Sequence, residues 1–238
     1  MQYINYILDP ANLYWQQTVE YLKLCGVAIA AAIVIGVALG ALVSRSPLLA
    51  FVAVNLSGLV RAVPIIAILL LFVELIPPPN NIGFVPAIVA LILLGIPPIL
   101  LNTYTGIRGI DPATIDAAKG MGMTNWQIAM RIQAPLVTPL VAAGVRTSAV
   151  QIVATATLAA FIGAVGYGDY IVDGLNVLNY TELVVGAVSV AILAILVEVF
   201  LSWLQRALTP AGLKVQAAQA QVEQAAPTAP TVPTAASA

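Results

Sequence analysis

A chain of 238 residues that is 61% hydrophobic and 8% charged, with a mean hydropathy of +1.00 and a net charge of −1, has the composition of a membrane protein and not of a soluble core. Near-zero net charge leaves no electrostatic footprint for nucleic acid. With no histidine and one cysteine, Cys25, it has neither the usual zinc ligands nor an intrachain disulfide.

The opening MQYINYILDPANLYWQQ lacks the basic segment and cleavage site of a signal peptide, so residues 1–19 are expected to form an extracytoplasmic segment. From there, gaps between charges mark the spans, since a bilayer takes roughly 20 apolar residues per helix. The first covers 24–44. The second, 46–75, is interrupted by Arg61 and Glu74, and Pro64 can kink or break it. The third is 83–104, the fourth 135–163 with Arg146 inside, and the fifth 183–203 with Glu198 near its end. The expected fold is all-α: a polytopic membrane domain over 20–206 with five transmembrane helices. The Ala/Gln and then Ala/Pro/Thr composition of 207–238 predicts a disordered tail.

The polar stretch between the third and fourth spans, DPATIDAAKGMGMTNWQIAMRIQAP at 111–135, is a pair of short helices by its capping signals. Asp111 followed by Pro112 is an N-cap with proline at the first helical position. Gly120 and Gly122 break that helix, Thr124 with Gln127 is a capping box that starts the next, and Pro135 is expected to end it. Placing this stretch in the cytoplasm also places Arg45, Arg108, Lys119, Arg131, Arg206 and Lys214 there. The other side then holds Asp9, Glu20, Asp169, Asp173 and Glu182 with Lys23 alone basic. The basic bias predicts an outside N-terminus and a cytoplasmic C-terminus.

Asp116, Ala117 and Ala118, then Gly122, then Ile132 and Pro135 resemble the "EAA" loop of ABC-importer permease subunits, E-A-A-x3-G-x9-I-x-L-P. Asp116 stands for the usual Glu and Ala134 for the usual Leu. The resemblance implies a type I importer architecture in which Asp116, Ala117, Ala118, Gly122, Ile132 and Pro135 form cytoplasmic coupling helices that dock on a separate ATPase. The chain has no G-x-x-x-x-G-K-[ST], so it is expected to carry no cofactor and no catalytic residue, with ATP on the partner. Trp126 reads equally as a contact or as a membrane anchor.

Three further stretches, LVRAVPIIAI (59–68), ILLNTYTGIRGIDPA (99–113) and AGVRTSAVQIVATATLAAFIGAVGYGDYIVDGL (143–175), resemble the osmoprotectant (glycine betaine/carnitine/choline) permeases of the inner membrane. Val165 and Tyr167 replace the family's more usual Gly and Leu. The resemblance implies ATPase subunits, a second permease chain (identical or related), an extracytoplasmic substrate-binding protein and surrounding lipid. Methionine and polar amino-acid permeases share the loop but match 143–175 less well. No aromatic cage for a quaternary ammonium is legible within the spans.

Polar groups within the spans are the candidates for the path: Arg61, Asn102, Thr103, Thr147, Gln151 and Thr155. Thr147, Gln151 and Thr155 share one helix face, although hydroxyls in membrane helices also satisfy backbone carbonyls. Arg146 and Glu198 read equally as a structural pair or as path residues. AVGYGD at 164–169 is one residue from a potassium-channel filter. The apolar run before it reads as a spanning helix, and that alternative leaves 111–135 unexplained. A secondary transporter would need more spans and an inverted repeat.

Overall fold

The computed structural model describes residues 2–209, and every regular element among them is helical. A short helix α1 (Gln2–Leu8) and a 3-10 turn at Pro10–Asn12 lead into α2 (Tyr14–Val43). There follow α3 (Pro47–Ala62), α4 (Ile65–Leu75), α5 (Phe84–Arg108), α6 (Pro112–Gly120) and α7 (Asn125–Ile128). A π turn at Ala129–Gln133 then joins α8 (Ala134–Thr155), a 3-10 stretch at Ala156–Ile162, α9 (Tyr167–Asn176) and α10 (Tyr180–Leu208). From residue 210 on, the expected tail lies outside the described residues.

Four continuous helical segments are long and apolar enough to cross a membrane: Pro10–Val43, Phe84–Arg108, Asn125–Ile162 and Tyr180–Leu208. The α3–α4 pair, Pro47–Ala62 with Ile65–Leu75, passes the same test only when its two helices are taken together and is bent by 97°, the geometry of a broken span or of a re-entrant loop. The break falls at Pro64, which has no N–H for the carbonyl of Val60. Helix resumes when Ala67 N donates to Pro64 O at 2.9 Å.

In a bilayer, apolar burial does not drive helices together, so close packing must. On α2 the small residues Ala28, Ala32, Gly36 and Gly40 recur at four-residue steps and are buried. They admit α5: a Cβ on Gly36 would stand 2.8 Å from Ile99 Cβ, and one on Gly40 2.6 Å from Thr103 Cβ. The other side of α5 meets α8 in the same way. Gly144 lies under the Pro98 carbonyl, and the buried Ser148 hydroxyl donates to Gly95 O at 2.8 Å. α5 is thus the central helix, flanked by α2 and α8, with α10 packed on α8 and α9.

Two expectations change. The first span starts well before residue 24, because α2 begins at Tyr14. The second coupling helix does not end at Pro135: α7 is a single turn, and the chain continues as helix into α8. Proline cannot donate to the carbonyl four residues back and its ring crowds that group. Here the π turn immediately before it, closed by Ala134 N donating to Ala129 O, widens the helix at that place.

Candidate functional site

The 111–135 stretch is built by local chemistry. Asp111 Oδ1 accepts from Ala113 N at 2.9 Å and starts α6 with Pro112 in the first turn. α6 ends in a Schellman closure: Gly122 N donates to Lys119 O at 2.9 Å and Met123 N to Ala118 O at 3.2 Å. Gly122 sits at φ +79°, where glycine alone is free of strain. Thr124 Oγ1 then accepts from Gln127 N at 3.3 Å while Gln127 Oε1 accepts from Thr124 N at 2.8 Å, so the expected capping box is present.

The two helices present a mixed surface. Asp116, Ala117, Gly122 and Pro135 are exposed, Ile132 is half-buried and Ala118 is fully buried. The closed side of α6 is thus at Ala118 and its open side at Asp116 and Ala117. Asp116 lies 3.4 Å from Lys119 with both side chains largely in solvent, a pair of little energetic weight. Trp126 is 70% exposed.

The six path candidates fall on three elements. Arg61 is exposed at the last turn of α3, beside the break. Asn102 Nδ2 donates to Pro98 O and Thr103 Oγ1 to Ile99 O; Thr147 Oγ1 donates to Ala143 O and Thr155 Oγ1 to Gln151 O. Four of the six thus satisfy the carbonyl four residues earlier. Thr103, 2% exposed, is wedged against Gly40. Arg146 and Glu198 form a structural pair: Nε to Oε1 is 3.1 Å, and Arg146 Nη1 donates to Gln205 Oε1 at 3.3 Å. This ties α8 to α10.

GYGD has the wrong conformation for an ion filter. Tyr167 to Asp169 are the first turn of α9, and a Cβ on Gly168 would run into the Thr157 carbonyl. A filter needs a row of extended carbonyls facing an axis. These residues instead belong to a tyrosine cluster, at the end of the bundle away from the coupling loop, that no sequence motif announces. Tyr14 packs on Tyr167 and Tyr170 with ring centres 5.8 and 6.2 Å apart, and Tyr21 on Tyr167 at 4.9 Å. Tyr167 donates to Thr18 Oγ1, Tyr170 to the Asn12 carbonyl and Tyr21 to the Val153 carbonyl, while Tyr14 bonds Ser189. The rings fill one another's space, so the cluster is a clamp and not an empty cage. Burial, with Glu182 close by, pushes the Tyr6 hydroxyl beside it up to about 12. Burial also raises the Asp169 carboxyl, reinforced by Asp173 and opposed by hydrogen bonds from Gly166 N and Gln17.

The family of binding-protein-dependent transport system inner membrane components matches residues 32–212. The chain is 39% identical over 198 residues, 83% of its own length and 89% of the relative's, to the glycine betaine/carnitine/choline transport system permease protein OpuCB of Bacillus subtilis. It is 38% identical, with the same coverage, to the carnitine transport permease protein OpuCB of Listeria monocytogenes. It is 34% identical over 90% of its length and all of the osmoprotectant import permease protein OsmW of Salmonella typhimurium. Its fold is that of a chain in the inward-facing MetNI methionine ABC transporter: TM-score 0.73 at 22% identity, over 82% of this chain and 95% of that one. On the family match and these relatives, the chain belongs to the ABC permease family of binding-protein-dependent transport system inner membrane components.

Proposed function

We propose that this chain is the membrane-spanning permease subunit of an ATP-driven importer for glycine betaine or a related quaternary-amine osmoprotectant. The observation that carries the substrate class is the 39% identity over 83% of the chain to a glycine betaine/carnitine/choline permease. The resemblance to the methionine transporter lies at 22% identity, a level that speaks for fold alone.

In this reading the capped pair α6–α7 is the coupling element. Asp116 and Ala117 contact the ATPase, Ala118 and Ile132 hold the loop to the bundle, and Gly122 sets the turn. ATP closure of two ATPase subunits moves two such loops, one on each of two permease chains, and rocks the spans around a central path. An extracytoplasmic binding protein delivers the solute. The N-terminus lies outside and the C-terminus in the cytoplasm, in line with the basic bias of the loops.

Arg61, Asn102, Thr147, Gln151 and Thr155 remain the proposed path residues, whereas Thr103, buried against Gly40, serves the α2–α5 contact instead. The α3–α4 break supports Arg61 in particular. It frees backbone polar groups inside a span, and such groups are tolerated only where they face protein or a water-filled cavity. With no catalytic groups invoked in this chain, the permease only binds weakly and moves.

The test is uptake of labelled glycine betaine by cells that lack other osmolyte transport and express the chain with its ATPase and binding-protein partners. Betaine uptake, competed by carnitine or choline but not by methionine, is expected. Association with an ATPase without betaine uptake, together with methionine or polar amino-acid uptake, would reassign the substrate and leave the permease role standing. Within that assay Arg61→Ala should lower uptake at least several-fold with normal membrane insertion; unchanged uptake removes Arg61 from the path.

A further inference from the structure

A cleft of about 1120 Å³ opens between α2 and α10 at the end that carries the coupling loop, with α8 as its back wall. Its deep walls are Val37 and Ala41 of α2, Val141 and Val145 of α8, and Leu201 and Leu204 of α10. Its mouth is different: Arg45 from the end of α2 and Lys119 from α6 line it, with Trp126 beside them. From Val37 to Val43, the last residue of α2, the helix rises about 9 Å, and Arg45 follows in the turn beyond it.

The two ends of this cleft ask for different chemistry. Water needs several polar partners to settle in a cavity, and the walls are mostly methyl groups, with Thr103, Gln133, Thr138 and Gln205 the polar exceptions. An alkyl chain suits them. At the mouth, Arg45 takes part in no ion pair among the described residues, and Lys119 has one solvent-exposed partner, Asp116, at 3.4 Å. Arg146, further in, is already satisfied by Glu198 and Gln205. The cleft is therefore apolar inside and cationic at its rim, at the level of the inner headgroups.

We propose that this cleft binds one anionic phospholipid of the inner leaflet, its phosphate at Arg45 and Lys119 and an acyl chain between α2 and α10. Basic pockets between spans on the cytoplasmic side select anionic headgroups. The chain's own segment after residue 209 is a poorer occupant by composition, since its first charge, Lys214, is of the same sign as the rim. The site has a mechanical consequence. Ile115, Ile128 and Met130 of the coupling loop line the same cleft. A lipid seated there braces the loop against two spans and makes its position sensitive to membrane charge. Nothing in this depends on which solute is carried.

The test takes the full chain with its ATPase partner, reconstituted in phosphatidylcholine nanodiscs with graded phosphatidylglycerol, and counts lipids retained per permease chain by native mass spectrometry. Phosphatidylglycerol should be retained in preference to phosphatidylcholine and should saturate. Arg45→Gln should weaken that preference about fivefold, the effect of one cation near an anionic surface, and Arg45→Lys should restore most of it. Ala41→Phe, which fills the cleft, should lower retention of both lipids. If that variant fails to assemble, the exposed Arg45 pair carries the test alone. Equal retention of the two lipids overturns the proposal, as does retention unchanged by Arg45→Gln. A wild-type chain that holds no lipid while one shortened after Thr209 does would give the cleft to the chain's own tail, and overturn it as well.

Discussion

Gly122 is held at φ +79° with nothing within 4 Å of the place a Cβ would take. Substitution there meets backbone strain and no clash, of the order of 1–2 kcal/mol for an ordinary L-residue and least for Asn or Asp. Gly122→Val should therefore lower solute-stimulated ATP hydrolysis several-fold, while Gly122→Asn stays near wild type at equal membrane levels. Equal loss in both would mean that the docking surface, not the turn, is what Gly122 serves. Asp169 invites a different measurement. Its folded pKa is raised above the ordinary 3.8 by burial, so its ionised form is the less comfortable one. Any stability linked to its protonation is complete below 3.8 and is lost as pH rises through the higher folded value. Asp169→Asn keeps an acceptor for Gly166 N and should raise the melting temperature at neutral pH, with the gain shrinking in acid. A gain that grows on acidification would reverse the sign and discard the account. At this scale the sequence is legible where partners are near. Asp111, Gly122, Thr124 and Gln127 bond within three residues of themselves. The tyrosines were not legible, because Tyr21 and Val153 meet across 132 positions.

Elements obey the same division. The charge gaps find the spans because hydrocarbon excludes charge whatever the partners are. They miss the length of α2, whose first turns carry Glu20 and Lys23, paired at 2.6 Å beyond the apolar run. Pro135 misleads for a related reason. Its effect on a helix depends on the register of the turn before it, and a π turn is a tertiary accommodation with no clear sequence sign. The small-residue ladder Ala28, Ala32, Gly36, Gly40 was there to be read as a packing stripe, and its partner α5 was not. That stripe gives a stability prediction. Gly40→Val must push Thr103 or the Leu100 carbonyl, both under 3 Å from the new Cβ. Overpacking of this kind costs about 1–3 kcal/mol. Gly26→Ala, with open space around it, should be neutral or slightly stabilising. Thermal unfolding of both in one detergent separates them; equal melting points would mean that α2 and α5 slide freely and that the ladder is not a fixed contact.

The whole molecule is asymmetric between its two ends. At the end away from the coupling loop, tyrosine hydroxyls knit α2, α9 and α10 together. At the other end the spans part around the cleft, and residues of the coupling loop line it. The proposed import cycle, in which the subunit pivots, needs one end held and the other free, and these two ends suit it. Much of α3 is exposed and apolar, with only Ala50 and Ser57 buried. The same division bears on the residues after Thr209. Each described helix, the coupling loop and the family match to residue 212 lie before Lys214. The remaining Ala, Gln, Pro and Thr lack the apolar pattern to add a span. A chain shortened after Lys214 should insert normally and retain betaine uptake within about twofold, a difference under 0.5 kcal/mol. If uptake is lost at normal expression while ATPase association persists, residues 215–238 take part in the transport cycle itself. If association is lost too, they belong to the docking surface and the coupling loop does not act alone.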